Sequence, residues 1–345
     1  MPIDLSAYSE RLAFDKEIAS LFATRLFVGT AVSFPEIDCY RSLIIGDKVI
    51  TIRRTKDGMK VFGNVCLHRS NIIDPLGEGK RHFSCGFHGW SYNADGELSL
   101  TPFTDKTRVK QSSLPTYPLA ESSGLLFAGL SGAVPRIDKV STALSKTRVT
   151  IGKTFHKEKI LHHCNWKLLV ENILESYHLN FVHRNTFLRS GFTSTSTHEW
   201  DADEYINLAS ITPLLATDKT SAIRRLARGA THSYRHAYVF PNLFISNTND
   251  LIGFVSHIIP VDQATTLLTW ELFELPELMA LPDPIREHIR NEAIDFSRTT
   301  LAEDKSMVES CQIGISSSMR IMQLQPIEDR VQQFHDYYNR CMSDA

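Results

Sequence analysis

The sequence predicts an α+β protein, with a small, mostly β domain ahead of a larger domain in which an antiparallel sheet is covered by helices. Three observations carry this expectation. The chain has 345 residues, more than one hydrophobic core of ordinary size accommodates, so two cores are expected. Between Cys39 and Ala128 short β-rich runs alternate with Asp-Gly turn signals, the pattern of a small sheet-built domain. Beyond about residue 162 come an amphipathic helical pattern, several strand-like runs and two further helical stripes.

Residues 8 to 24 carry apolar side chains at roughly helical spacing and are expected to form a helix packed on the larger domain. The expected boundaries are 1–25 for this segment, 26–140 for the β domain and 141–345 for the larger domain. In the β domain the strand runs are LIIGDKVITIRR, then MKVFGNVC after Asp57-Gly58, then SYNADGELSL around Asp95-Gly96. From about Pro135 to His162 the chain reads as a polar stretch with little periodicity. NWKLLVENILESYH then has the spacing of an amphipathic helix. The runs RHAYVFPNLFISN, GFVSHIIPV and TLLTWELFEL suit antiparallel strands. Asp283-Pro284 reads as an N-cap followed by proline at the first helical position, and Ile285, Ile289, Ala293 and Phe296 continue one face towards Gly314. A last helix from about Pro326 places Ile327, Val331, Phe334 and Tyr338 on one stripe.

With 42% hydrophobic and 22% charged residues the chain has the apolar content to fill two cores and lacks the signature of disorder. A net charge of −2 offers no overall field for nucleic acid or an anionic membrane, so neither is an expected partner. The start, MPIDLSAYSERLAFDKEIAS, has acids where a signal peptide has a basic region, and no stretch approaches the roughly 18 apolar residues of a membrane span. The expected location is cytoplasmic. In that compartment the six cysteines, Cys39, Cys66, Cys85, Cys164, Cys311 and Cys341, point to metal ligation rather than to a disulfide framework.

The most specific pattern is Cys66-Leu-His68 followed, after sixteen intervening residues, by Cys85-Gly-Phe-His88. Two thiolates and two imidazoles arrive on two short loops. A Rieske [2Fe-2S] centre needs this set, two sulfurs on one iron and two nitrogens on the other. Tetrahedral zinc is the alternative, although zinc fingers usually pair Cys with Cys and His with His, whereas each loop here supplies one of each.

A second pattern is ENILESYHLNFVH, residues 171 to 183. On a regular helix Glu171, Glu175 and His178 share a face. His183 would point elsewhere, so the chain must kink or unwind for both imidazoles to converge. Taken alone, these histidines read equally well as surface or core residues. His156, His162, His163, His198, His232, His236, His257, His288 and His335 lack a paired ligand spacing and read as surface or satisfied core residues. The basic stretch Ile223 to Gly229 reads as a solvated loop, with an anionic substrate or an acidic reductase face as its alternative partner. Trp200, Tyr205, Tyr238, Phe240, Phe244 and Phe254 could line a pocket or cage a cation, and on strands most are expected to be core.

The motifs CLHRS and CGFHGWSYNADGEL resemble the cluster-binding loops of the Rieske-type non-haem iron oxygenases, the α subunits of the aromatic-ring-hydroxylating family. Ser70 stands where that family usually has glycine, and Gly86 where it usually has proline. ENILESYHLNFVH is similar, position by position, to the family's iron-binding segment. The resemblance implies an all-β Rieske domain and a helix-grip-like catalytic domain, with Cys66, His68, Cys85 and His88 holding the cluster. It implies His178 and His183 as two members of a two-histidine, one-carboxylate triad on a mononuclear Fe(II). The carboxylate is expected from a C-terminal helix, LAEDKSMVESCQIG, with Asp304 chosen over Glu303 and Glu309. Glu175 replaces the family's usual aspartate, an acid that links an iron-ligating histidine to a cluster histidine of the next subunit, and here it is one methylene longer. Asn172 is expected near the iron without ligating it strongly, and Tyr177 is expected beside the ligands.

The implied activity is O2-dependent hydroxylation, dihydroxylation or dealkylation of a small organic molecule, aromatic or alicyclic. Electrons are expected from NAD(P)H through a separate flavin or iron-sulfur reductase, with or without a ferredoxin, because the chain has no GxGxxG after a strand and no second cysteine cluster. The implied assembly is a head-to-tail homotrimer. FPNLFIS and EDKSMVESCQIG look like segments of monooxygenases acting on quaternary ammonium compounds, and a natural-product tailoring hydroxylase is a further alternative within the family. From other classes, a Rieske electron carrier or redox-sensing binding protein would need only the cluster, and a zinc-stabilised binding module would be colourless.

Overall fold

The computed structural model describes residues 2–103, 105, 112–214, 231–317 and 322–343; the basic stretch at 223–229 lies outside the described residues. Contacts divide the chain into two compact units, Phe22–Ile137 and Met1–Leu21 with Asp138–Ala345. All six cysteines are free. Among the described residues no helix is long and apolar enough to cross a membrane.

The smaller unit is built from strands β1 (Leu26–Thr30), β2 (Cys39–Ile45), β3 (Lys48–Thr55), β4 (Gly58–Gly63), β5 (Gly77–Lys80), β6 (Ser91–Tyr92), β7 (Leu98–Leu100), β8 (Thr116–Tyr117), β9 (Leu119–Ser122) and β10 (Leu125–Ala128). They form a five-stranded sheet in the order β5-β2-β3-β4-β8, a three-stranded sheet β1-β10-β9 and the pair β6-β7. The alternation in β3 buries Ile50 and Ile52. Its hairpin to β4 closes with Thr55 opposite Gly58, whose φ of +112° only glycine adopts readily. Phe62, Cys66, Ile73, Phe83, Cys85, Trp90, Tyr92, Leu98 and Leu114 form one core cluster, so both motif cysteines are anchored in packed apolar surroundings. Buried Arg53 reaches Asp74 at 2.6 Å, and the Thr51 hydroxyl donates to the same carboxylate at 2.8 Å.

The larger unit carries a seven-stranded antiparallel sheet of β11 (Thr154–His162), β12 (Thr197–Asp203), β13 (Ile206–Thr212), β14 (Tyr234–Val239), β15 (Leu243–Thr248), β16 (Ile252–Asp262) and β17 (Thr265–Glu274), in the order β11-β17-β16-β15-β14-β13-β12. Its helices are α1 (Arg11–Glu17), α2 (Val140–Thr147), α3 (Trp166–Leu174), α4 (Leu179–Val182), α5 (Pro276–Met279), α6 (Asp283–Ile315) and α7 (Asp329–Ser343). Leu251, Ile252, Trp270, Leu272, Leu278, Leu281 and Ile289 pack together, joining β16, β17, α5 and α6.

Several elements differ from the sequence expectation for physical reasons. The stretch read as aperiodic holds α2 and β11; β11 is an edge strand whose side chains are mostly half-buried, so Lys, His and Glu interrupt its apolar alternation. α1 stops at Glu17 and the chain continues as a π turn over Ile18–Phe22. In α6 the cap position falls on Pro282, one residue earlier than expected, which puts Asp283 and Pro284 in the first turn. Ile327 lies in a 3-10 turn before α7 and is 39% exposed, so it leaves the buried stripe of Val331, Phe334 and Tyr338.

Candidate metal centres

In the smaller unit the two motif loops repeat one backbone design. Ser70 N–H donates to the Cys66 carbonyl and Gly89 N–H to the Cys85 carbonyl, both at 3.0 Å. Each donor is the fourth residue after its cysteine and each has a left-handed φ, +55° at Ser70 and +71° at Gly89. That conformation favours glycine, which gives Ser70's departure from the resembled pattern a definite cost and leaves the loop shape intact. At Gly86 a Cβ would meet nothing within 4 Å, so the second departure relieves no crowding.

Cys66 Sγ accepts from the Tyr92 hydroxyl at 3.3 Å, and Cys85 Sγ accepts from the Asn71 amide at 3.4 Å. Burial pushes the Cys66 thiol up. At Cys85 burial acts the same way but is outweighed by hydrogen bonds from the Phe87 backbone and Asn71, which hold the thiol below its usual range. His68 and His88 meet edge to face at 4.6 Å between ring centroids, His68 stacks on Trp90 at 4.8 Å, and both imidazoles are exposed. A single tetrahedral zinc would gather its four donor atoms within roughly 4 Å of one another. Among the described residues these four do not supply such a set. Buried thiols with hydrogen-bond donors, facing two imidazoles that reach solvent, suit a binuclear cluster that exchanges electrons at a surface.

In the larger unit Asn165 caps α3, its side chain accepting from Lys167 N–H at 3.0 Å. The helix then ends at Leu174, and Glu175 is extended, with φ −119° and ψ 157°. Glu171, Glu175 and His178 therefore do not share a helical face. Glu171 instead turns to the Tyr8 hydroxyl and to His335 Nε2. The unwinding falls before His178, and the turn of α4 then carries both His178 and His183, whose rings approach to 4.9 Å.

His178, His183 and Asp304 offer one ligand atom each, all within 4.8 Å of one another. Asp304 Oδ1 lies 3.0 Å from His183 Nε2 and 3.7 Å from His178 Nε2. The other nitrogen of each ring is held by a second acid. His183 Nδ1 is 2.8 Å from Glu303 Oε2, which also accepts from the Thr186 hydroxyl at 2.9 Å. His178 Nδ1 bonds Glu175 Oε1, while Glu175 Oε2 accepts from His178 N–H at 3.1 Å. Carboxylates at Nδ1 select the tautomer whose Nε2 lone pair faces Asp304, the arrangement of donors around a divalent metal. Burial works against a charged His183, but Asp304 and then Glu303 outweigh it and raise its pKa. Glu309 belongs elsewhere, accepting from His163 N–H at 2.7 Å. Glu303, the rival of Asp304 in sequence terms, holds the far nitrogen of His183 instead.

These three residues line a cavity of about 260 Å3 walled also by Phe187, Phe192, Tyr234, Phe244, Phe254 and Phe296. Asn172 and Glu175 line it and also a neighbouring hollow of about 540 Å3. The aromatics singled out in the sequence divide between roles. Phe244 and Phe254 reach the cavity, whereas Tyr238 and Phe240 pack on Phe334 at 6.0 and 6.1 Å. Tyr205 donates to Asp138 at 3.1 Å, and Trp200 donates to Asp329 at 2.7 Å. Tyr177 is 46% exposed and packs on Phe181 at 6.5 Å between ring centroids. His236, read as unremarkable in the sequence, lines the cavity.

Comparison with known proteins agrees with both centres. Residues 25–118 match the Rieske [2Fe-2S] domain. Putrescine 2-hydroxylase from Ralstonia nicotianae is 25% identical over 99% of this chain and 95% of its own length. The chloroplastic choline monooxygenase of Beta vulgaris is 24% identical over 97% of this chain and 76% of its own length. Among solved structures, the quaternary ammonium Rieske monooxygenase CntA superposes with a TM-score of 0.82 at 20% identity, covering 99% and 95% of the two chains. Naphthalene 1,2-dioxygenase from Rhodococcus sp. superposes with a TM-score of 0.74 at 18% identity, covering 99% and 94%. Residues 152–344, more than half of the sequence, match the ring-hydroxylating α-subunit catalytic domain, and the chain belongs to that family, the Rieske non-haem iron oxygenases.

Proposed function

We propose that this oxygenase hydroxylates a small, largely apolar molecule, aromatic or alicyclic, held in the phenylalanine-walled cavity, with iron on His178, His183 and Asp304 and the cluster on Cys66, His68, Cys85 and His88. One observation carries the reading. Two imidazole Nε2 atoms converge on a single Asp304 oxygen while carboxylates occupy both Nδ1 positions, so the remaining lone pairs face one another and call for a cation between them.

When bound, the iron supplies coordination positions for O2 beside the substrate. The protein's part is positional. Glu175 and Glu303 fix ring tautomer and orientation, and the aromatic wall excludes water and aligns the substrate beside His178, His183 and Asp304. Electrons come through the cluster from a separate reductase. Each Glu175 oxygen keeps acceptor capacity beyond its contacts to His178, which suits a further contact to a cluster histidine in a head-to-tail homotrimer working in the cytoplasm. Asn172, on the wall shared by the two hollows, lies beside the iron as a non-ligand.

The test is Asp304→Ala. Metal analysis should find the mononuclear iron lost and the visible spectrum of the cluster kept; full iron retention would move the third ligand elsewhere. Turnover with reductase, NADH and O2 against a panel of small aromatics and trimethylammonium compounds, read by product mass, identifies the substrate class. A second reading, a cationic amine, is favoured by the aromatic wall, whose π faces can hold an ammonium group, and by relatives named for putrescine and choline.

A further inference from the structure

The cavity follows α6 over much of its length. Ile289, Ala293, Phe296, Thr300 and Asp304 all line it, and their spacing of three or four residues sets them on one stripe of the helix. Ile289 and Asp304 are fifteen residues apart on α6, about 22 Å along its axis. A volume of about 260 Å3 drawn out over such a length is a narrow slot rather than a bowl.

The two extremes of the stripe differ in chemistry. At one, Asp304 meets His178 and His183. At the other, Ile289 packs with Leu251, Ile252 and Leu272, which line the cavity as well. Phe254 on the sheet side stacks on Trp270 at 5.9 Å between ring centroids. Thr248, paired with Ile252 in the sheet, and Asn249 are the polar lining residues beside this apolar group. Ala293 stands between the extremes, half-buried and packed against the same apolar cluster. It presents a single methyl where its neighbours on the stripe, Ile289 and Phe296, present large side chains, and so leaves the slot open at that level.

Charge limits what the slot accepts. Among the described residues no lysine or arginine lines the cavity, so nothing on its wall holds a carboxylate. The acid on this stretch of α6 is Glu292, 43% exposed with His288 at 3.7 Å, a charge already served by water.

We propose that the substrate is elongated, with a compact head beside His178, His183 and Asp304 and an uncharged apolar tail that runs past Ala293 to Ile289, Leu251 and Ile252. Ala293 is the residue that admits the tail. Each methylene of the tail exchanges water for apolar wall, so binding tightens with tail length until the slot is full. The proposal rests on the cavity being the substrate site.

Equilibrium dialysis of the anaerobic holoenzyme with 4-ethyl-, 4-butyl-, 4-hexyl- and 4-octylphenol tests it, read as saturable binding of one molecule per chain. Wild-type affinity should rise on the order of tenfold per two-carbon step, through the hexyl compound at least. Ala293→Phe puts a ring across the slot. It should weaken 4-hexylphenol by roughly tenfold or more and leave 4-ethylphenol within about twofold of wild type. Ala293→Leu should shift the long probe in the same direction by less. A wild-type series that is flat beyond ethyl would overturn the proposal, and so would variants that keep the wild-type ratio of long to short probe. If neither variant folds, the wild-type series decides alone. 4-Ethylphenol bound without gain from longer tails removes only the tail site; no saturable binding of any probe removes the cavity reading with it.

Discussion

Glu303 and Asp304 are neighbours on α6 that address opposite nitrogens of one imidazole, Glu303 at Nδ1 and Asp304 at Nε2. Which of two adjacent acids faces the metal is a matter of helix rotation about its axis, some 100° per residue, and rotation is set by packing that composition does not reveal. The residues by themselves therefore make both histidines and a short set of acids legible, and the preference for Asp304 over Glu303 comes from the family resemblance and not from spacing. Glu303→Gln removes the charge and keeps an acceptor for His183. It should weaken ferrous iron retention by about 10- to 100-fold, measured by competition with a chelator while the cluster absorbance serves as internal control. Unchanged retention would make Glu303 a bystander. His236 was illegible for another reason: its guanidinium partner, Arg330, lies 94 positions away, and no local spacing marks such a pair.

At the scale of elements, the placement of the ligands depends on α3 ending at Leu174, and no proline or glycine announces that end. Its beginning is legible, because Asn165 is a good capping residue before an apolar run. What fixes α3 against α1 is a buried polar cluster. Lys167 Nζ bonds Glu17 at 2.5 Å, with both side chains 0% exposed, and Trp166 Nε1 and the Tyr338 hydroxyl donate to the same carboxylate at 2.7 and 2.6 Å. Lys167→Met strands the Glu17 charge away from water, and removing one partner of a buried pair costs about 3–5 kcal/mol. Amide hydrogen exchange over Arg11–Glu17 should accelerate accordingly; protection equal to wild type would mean that packing alone seats the helix. The missed elements, α2 and β11, share a cause. An eight-residue helix and an edge strand of mostly part-buried side chains show little of the periodicity from which elements are read.

For the whole larger unit, three histidines set an acid limit. Burial lowers the pKa of His162, His198 and His236 from 6.5, assisted by Lys305 at the first and Arg330 at the other two. The folded chain then binds fewer protons than the unfolded one just below pH 6.5, so their contribution is present above that pH and is lost as pH falls, by up to about 1.4 kcal/mol per unit for each. His183, raised above 6.5, pulls the other way only while no metal occupies its Nε2. The urea midpoint of the iron-loaded enzyme should fall between pH 6.5 and 5.5 and change little from 7 to 8. A midpoint that rises on acidification would contradict this, and the metal-free protein should lose less. One further consequence follows from α6, an unbroken helix of 33 residues that spans about 50 Å. Ile289, Phe296 and Thr300 on it form part of the cavity wall, and Asp304 sits on the same rod two turns past Phe296. With Asp304 as the proposed third ligand, a bulky guest that presses Phe296 outward pushes on the helix that carries that ligand, so occupancy of the hollow is coupled to the proposed metal site through one rod.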